Sequence, residues 1–307
     1  MSSKPFDVLV AGEINPDLIL TGDVEPAFGQ VEKLVDAAAL TIGSSSAIFA
    51  CGAARLGLKV AFIGMCGNDI FGRFMLDEMS ERGVDISPVI VDSSRQTGLS
   101  IILNRGSDRA ILTHAGCIAG LRAKQVTDDL LQKARHLHIA SYFLQTALQP
   151  GLPDLFRRAR ALGLSTSLDT NWDSSGQWRG LEELLRLLDI FLPNENEAMA
   201  LTGAVTVEDA ITCLSQTCGT VAVKLGASGA IGKRGNETAQ TPALKVEVMD
   251  TVGAGDTFDA GFLYGWLNGW SLEKALRLAA VCGSLSTRAA GGTAAQPTLD
   301  EALRYAG

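Results

Sequence analysis

What this chain lacks narrows its chemistry first. No dense run of Lys or Arg occurs, and 26 basic against 34 acidic residues leave a formal net charge of −8. A nucleic-acid binder needs a cationic surface to displace counterions from phosphates, so nucleic acid is a poor candidate partner. A small anionic ligand needs only a few local donors, and overall acidity does not exclude one. No C-x-x-C pair exists among Cys51, Cys66, Cys117, Cys213, Cys218 and Cys282, and no His neighbours Cys213 or Cys218 in sequence. This disfavours zinc and disulfides and points to reduced, mostly buried thiols. No uninterrupted apolar stretch is long enough to span a bilayer. The N-terminus enters the strand-like FDVLVAG with no charged leader, apolar region and cleavage site. A cytoplasmic protein is expected, with neither nucleic acid nor membrane as partner.

Two nucleotide signatures are also missing. In a nicotinamide-dependent oxidoreductase G-x-G-x-x-G would follow the first strand, where this chain reads GEINPD. The phosphate-binding loop G-x-x-x-x-G-K-[ST] occurs nowhere. There is no internal repeat, low-complexity tract or long linker, and only 6% of the residues are aromatic.

What is present is an ordinary globular composition, 47% hydrophobic and 20% charged. The 33 glycines suggest tight turns or close approach of backbone to a ligand. Residues 6–12, 59–65, 136–141, 164–169, 189–193 and 220–225 read as short buried strands. Helical spacing covers 46–56, 70–82, 127–135, 153–162 and 181–188, and most of the chain after Gly255. Strands alternating with helices imply an α/β fold with a mainly parallel sheet covered on both faces. Residues 17–42 and 97–115 break that rhythm, the second reading as a hairpin around Asn104–Asp108. They are expected to build a small β-lid beside a single domain spanning residues 1–307.

The sharpest local feature is Asp250-Thr-Val-Gly253-Ala254-Gly255-Asp256, preceded by a strand-like KVEV at 245–248 and followed by a helical pattern. Glycines at a helix N-terminus let an anion approach free N–H groups at the positive end of the dipole. A carboxylate beside that anion suits a base for an attacking hydroxyl. An ordinary turn with Asp256 as a helix cap fits these residues equally well.

The wider sequence resembles the PfkB family of ribokinase-like carbohydrate kinases. The 250–256 turn is similar to that family's C-terminal signature. Gly43 to Gly57 (GSSSAIFACGAARLG) and the G-x-D-x-F-G element at Gly67–Gly72 are similar to its N-terminal one. The resemblance runs along nearly the whole chain. It implies a three-layer fold with a β-lid, ATP and Mg²⁺, and leaves room for a monovalent cation. It implies Asp256 as base and the Gly253, Ala254, Gly255 and Asp256 amides as an anion hole.

The resemblance also distributes the remaining site residues. Asn15 and Asp17 follow the first strand, where ligands bind open α/β sheets, and are expected to contact the acceptor with Gly43, Ser44 and Ser45. Asn194 and Glu197 match an N-x-x-E motif expected to hold Mg²⁺ through water; a helix cap is the bland alternative. Lys224, Gly226 and Gly229 match a nucleotide loop, and equally form a hairpin turn. His114, His136 and His138 show no metal spacing and are expected in lid or sheet.

Three departures bear on the acceptor. Ser44 stands for a usual Gly and Ile48 for a usual Asn, which argues against ribose. Asp173 stands where several members carry Arg, and its charge is expected to repel an acidic sugar such as 2-keto-3-deoxygluconate. The expectation is therefore a kinase for a neutral sugar or sugar-like alcohol. A nucleoside kinase with Ile48 and Phe49 lining an apolar pocket is one alternative. Another is a phosphosugar kinase using Lys33, Arg95, Arg105 or Arg109. A non-catalytic sugar- or nucleotide-binding protein is the alternative of another class, and a homodimer through the lid is a candidate assembly.

Overall fold

The computed structural model describes residues 4–105, 108–173 and 175–307; Gly106 and Ser107, within the expected hairpin turn, lie outside them. The chain opens with β1 (Phe6–Ala11), β2 (Pro16–Thr21), β3 (Ala37–Ile42), α1 (Ser45–Arg55), β4 (Val60–Ile63), β5 (Met65–Gly67) and α2 (Ile70–Glu81). There follow β6 (Ile90–Asp92), β7 (Leu99–Arg105), β8 (Asp108–His114), α3 (Asp128–Leu131), β9 (Ala134–Ile139) and α4 (Leu152–Ala161). Next come β10 (Ser165–Leu168), α5 (Glu182–Leu185), β11 (Ile190–Phe191), α6 (Glu195–Thr202), α7 (Val207–Ser215) and β12 (Thr220–Lys224). The chain closes with β13 (Ala230–Arg234), β14 (Glu237–Thr241), α8 (Ala254–Leu267), α9 (Leu272–Ser286) and α10 (Leu299–Ala306).

Eight strands form the central sheet in the order β14-β13-β12-β11-β10-β9-β1-β4. All neighbours are parallel except β12/β13 and β13/β14. The pleat explains its continuous apolar strands. In β1, Val8 and Val10 enter one core with α1, α8 and α9, while Leu9 and Ala11 enter the opposite core with α4 and α7. A strand buried on both faces cannot alternate with polar residues. The result is the expected three-layer arrangement.

The segments that broke the sequence rhythm form a separate four-stranded sheet, β3-β2-β7-β8. Asp69 ties it to the main body. Its carboxylate accepts from Gly72 N, capping α2, and from Thr97 N and Oγ1 just before β7. Such a cap contributes about 1 kcal/mol.

Three expectations change. The helix expected over 127–135 is one turn, Asp128–Leu131, because Ala134–Ile139 is claimed by β9 in register with β1 and β10. KVEV at 245–248 is not a strand. Leu244 N donates to Ser284 Oγ, and Met249 and Asp250 N donate to Thr287 O, so the segment follows α9 with no strand beside it. The helix over 181–188 also shortens to Glu182–Leu185. Among the described residues, no single helix is long and apolar enough to cross a membrane.

Candidate active site

The loops after β1, β10, β11 and β12 all leave the C-terminal edge of the parallel sheet, where open α/β sheets bind ligands. The 250–256 turn meets them there. Gly253 caps α8 with φ of 72°, a conformation that favours glycine. A Cβ at this position would stand 2.7 Å from Gly292 Cα and 2.9 Å from Ile48 Cγ2. Asp250 fixes the turn by accepting from Val252 N and Gly291 N at 3.0 and 2.9 Å. The first N–H groups of α8 have no partner further up the helix, although Ala254 N donates to Thr251 O at 3.3 Å.

Asp256 follows in the first turn, buried at 9% exposure. Burial pushes its carboxyl up to about 8; the Asp169 and Glu13 charges add to this, while Lys224 and a hydrogen bond with Ser45 oppose it. Ser45 is also within 3.5 Å of Asn171 Nδ2. The middle serine of the 44–46 run thus faces the carboxylate predicted to be the base.

Lys224 lies deeper than its assignment to a nucleotide suggests. Its ammonium is 2.9 Å from Asp169 Oδ2 and 3.1 Å from Asp259 Oδ2, and only 12% of the side chain is exposed. It still borders the turn, because a Cβ at Gly255 would lie 3.6 Å from Lys224 Nζ. Burial raises Asp259 well above the usual carboxylate range, with Lys224 opposing and Asp169 adding. For Asp169, burial is more than offset by Lys224 and hydrogen bonds, which hold its carboxyl low. The two carboxyls are thus pushed in opposite directions, Asp259 up and Asp169 down.

On the acceptor side, Asn15 and Asp17 are both buried. Asn15 Nδ2 lies 3.4 Å from Asp17 Oδ1 and from Ser100 Oγ of the lid. Burial raises Asp17 to about 7, with Arg109 opposing. Gly43 is required by close approach: a Cβ there would meet Asp17 Oδ1 at 2.2 Å. Ser44, at φ of 67°, caps α1 by accepting from Ala47 N and donates to Glu13 O at 2.7 Å. The Glu13 carboxylate accepts from Ser46 N and Oγ at 3.2 and 2.6 Å. The Glu13 side chain therefore occupies the α1 N-terminus.

Asn194 and Glu197 form a reciprocal capping box at the start of α6, the helix-cap reading of their motif. Glu197 accepts from Asn194 N at 3.0 Å and Asn194 Nδ2 at 2.7 Å, one oxygen each. Burial lifts it to about 7, with Asp169 adding and Lys224 opposing. Lys224 N donates to Pro193 O, which places the end of β12 beside Asn194. The Gly226–Gly229 turn follows there and closes the β12/β13 hairpin.

Other candidates fall away from the cleft. Ile48 and Phe49 are core: Ile48 packs on Gly253 and Gly292, and Phe49 stacks on His138 at 3.8 Å. Lys33, Arg95 and Arg105 pair with Asp23, Asp92 and Glu25. The Asp173 oxygens accept from Ser175, Gln177 and Trp178 of its own loop. His136 and His138 are buried in β9, and His114 ends β8.

Sequence reading gave no role to Glu13 or Asp259. Asp259 carries a legible signal, since it follows Asp256 by three residues and so shares its helix face. Glu13 stands in the GEINPD segment but has no spacing that relates it to Ser44 and Ser46.

A family model described as pfkB family carbohydrate kinase matches residues 6–299. The chain belongs to that family. It is a carbohydrate kinase, phosphorylating a sugar-like substrate with ATP. Among its relatives, a 2-dehydro-3-deoxygluconokinase of Bacillus subtilis is 32% identical over 272 residues, covering 83% of each chain. An uncharacterised sugar kinase of Archaeoglobus fulgidus is 32% identical over 74% of this chain and 90% of its own. Among solved structures, the E. coli protein named Ribokinase II, in complex with ATP and Mg²⁺, aligns with a TM-score of 0.87 at 26% identity. That alignment covers 98% of both chains.

Proposed function

We propose that this pfkB family kinase transfers the γ-phosphoryl group of ATP to a hydroxyl of a neutral sugar or sugar-like alcohol, with Asp256 as general base. The observation that carries the assignment is the position of Asp256, buried within the N-terminal turn of α8, the end of a helix that favours an anion. Asn15 and Asp17 bind acceptor hydroxyls, with Gly43, Ser44 and Ser45 forming the opposite wall. Ser45 orients the Asp256 carboxylate, which takes the proton as the acceptor oxygen attacks. The N–H groups of the Gly253–Asp256 turn stabilise charge on the transferring group. Lys224 contributes its charge from beneath Gly255, and the Gly226–Gly229 turn borders the nucleotide.

The donor set fits Mg²⁺. Each Glu197 oxygen accepts one bond from Asn194 and keeps a further lone pair. Mg²⁺ keeps several waters and needs few protein oxygens, so Glu197 and Asn194 would hold it through water. When bound, it neutralises phosphate charge. A monovalent cation is a separate proposal, tested by comparing rates in potassium and in tetramethylammonium salts. The exposed lid residues Leu40, Ile111 and Leu112 support a homodimer through the lid, tested by sedimentation.

The deciding experiment is an ATP-to-ADP coupled assay over sugars, sugar alcohols, nucleosides, phosphosugars and 2-keto-3-deoxygluconate, with Asp256→Asn as control. One acceptor giving Asp256-dependent ADP names the substrate class. Near-wild-type turnover in Asp256→Asn removes it from the base role. Mg·ATP binding without turnover on any acceptor favours the non-catalytic binder.

A further inference from the structure

We propose that Gln296 is a positioning residue for the base: its side-chain amide locks the first turn of α8, and with it Asp256, against α1. The inference rests on the reading of Asp256 as base. Gln296 lies in the segment between α9 and α10 and is 2% exposed. Its Nε2 donates to Ile48 O of α1 at 2.9 Å and to Thr257 Oγ1 of α8 at 3.0 Å. An amide nitrogen has two N–H donors, so one goes to each helix. Thr257 directly follows Asp256, and α1 carries Ser45 against the Asp256 carboxylate. The amide therefore joins the two helices directly behind the atoms that must stay in register.

The slot is built to admit it. Within α1, the N–H that shares the Ile48 carbonyl belongs to the residue four positions on, and that residue is Gly52. A Cβ at Gly52 would lie 2.8 Å from Gln296 Nε2. Any side chain there would push the amide away from both acceptors. The backbone of Gln296 is fixed as well, since Arg55 Nε donates to its carbonyl at 2.5 Å. Four residues earlier, Gly292 packs on Ile48 and against Gly253. The same segment thus clamps the anion turn at Gly253 and the base at Thr257.

Asp256 lies in the first turn of α8 and Ser45 opens α1, so their register depends on the α1–α8 spacing. A misplacement of about 1 Å costs on the order of 100-fold in rate. Gln296→Met keeps the length and apolar packing of the side chain but has no donor. Thr257→Val keeps the shape and removes the acceptor, leaving Gln296 its bond to Ile48. We expect each single variant, as folded full-length protein with the acceptor found in the panel, to lose about tenfold or more in kcat. The KM for ATP should stay within about twofold, and the double variant should fall no further than the lower single one. A purely structural role would lower thermal stability and leave the kcat of the folded protein intact. If Gln296→Met does not fold, Thr257→Val carries the test alone. A folded single variant with kcat within about twofold of wild type, or losses that simply add in the double variant, overturns the proposal. Asp256→Asn is run alongside. Its near-wild-type turnover would remove the base reading, whereas its inactivity beside a fully active Gln296→Met removes only the role of Gln296.

Discussion

The Lys224 ammonium is 2.9 Å from the Asp169 carboxylate, 55 positions away in sequence, and bridges it to Asp259 of α8. Removing one partner of a buried ion pair leaves an uncompensated charge and costs about 3–5 kcal/mol. Lys224→Met should be destabilised by about that amount at pH 8, read by urea unfolding, and by less at pH 5, where Asp169 can take up a proton. Adding Asp259→Asn should recover part of the loss by removing the second carboxyl. Equal destabilisation at both pH values would show that the bridge contributes packing and not charge.

Gly253 combines a left-handed backbone with contact on Gly292 and Ile48. The left-handed conformation costs a residue with a side chain roughly 1–2 kcal/mol, and overpacking adds about 1–3. Gly253→Ala should therefore lose about 2–5 kcal/mol in denaturant unfolding. Because the strain is relieved by moving the turn, kcat should fall even in the folded fraction. A stable, fully active variant would mean that the anion turn tolerates displacement.

The sequence made the scaffold legible where burial is two-sided. β1 and β12 are short, largely apolar runs because helices cover both faces. The Gly253–Asp256 turn was legible because its residue types are required by local backbone geometry. The failures were non-local. Leu130 and Leu131 continue a helical spacing, but pairing of Ala134–Ile139 with β1 and β10 overrides it. KVEV alternates like a strand and finds no edge to pair with. The packing of Ile48 on Gly253 and Gly292 and of Phe49 on His138 is likewise invisible in sequence. The links from Glu13 to Ser46 and from Gln296 to Thr257 span 33 and 39 positions and leave no periodic trace.

Asp17 presses against Gly43 at the acceptor wall, and burial raises it to about 7. Hydrogen bonds to a charged group contribute about 1.5–3 kcal/mol, and each 1.4 kcal/mol is tenfold in affinity. Asp17→Asn should therefore raise the acceptor KM by about 10- to 100-fold while the ATP KM stays nearly constant. A matched rise in both would move Asp17 from acceptor binding to a general structural role.

Asp256 should reveal its environment through stability as well as rate. Burial, with Asp169 and Glu13, raises its carboxyl from 3.8 to about 8. A carboxyl raised in the folded state binds its proton more tightly there than in the unfolded chain. Its favourable contribution is complete below the unfolded value and is lost as pH rises through about 8. Asp256→Asn resembles the protonated side chain and titrates nowhere in this range. Its Tm should match wild type near pH 4 and exceed it increasingly toward pH 9, while turnover is lost by orders of magnitude. Wild-type kcat/KM should in turn rise with pH on its acid limb, since the base works only when ionised. A Tm difference that stays constant from pH 4 to 9 would mean that Asp256 is solvated in solution, and the burial that defines this site would not hold.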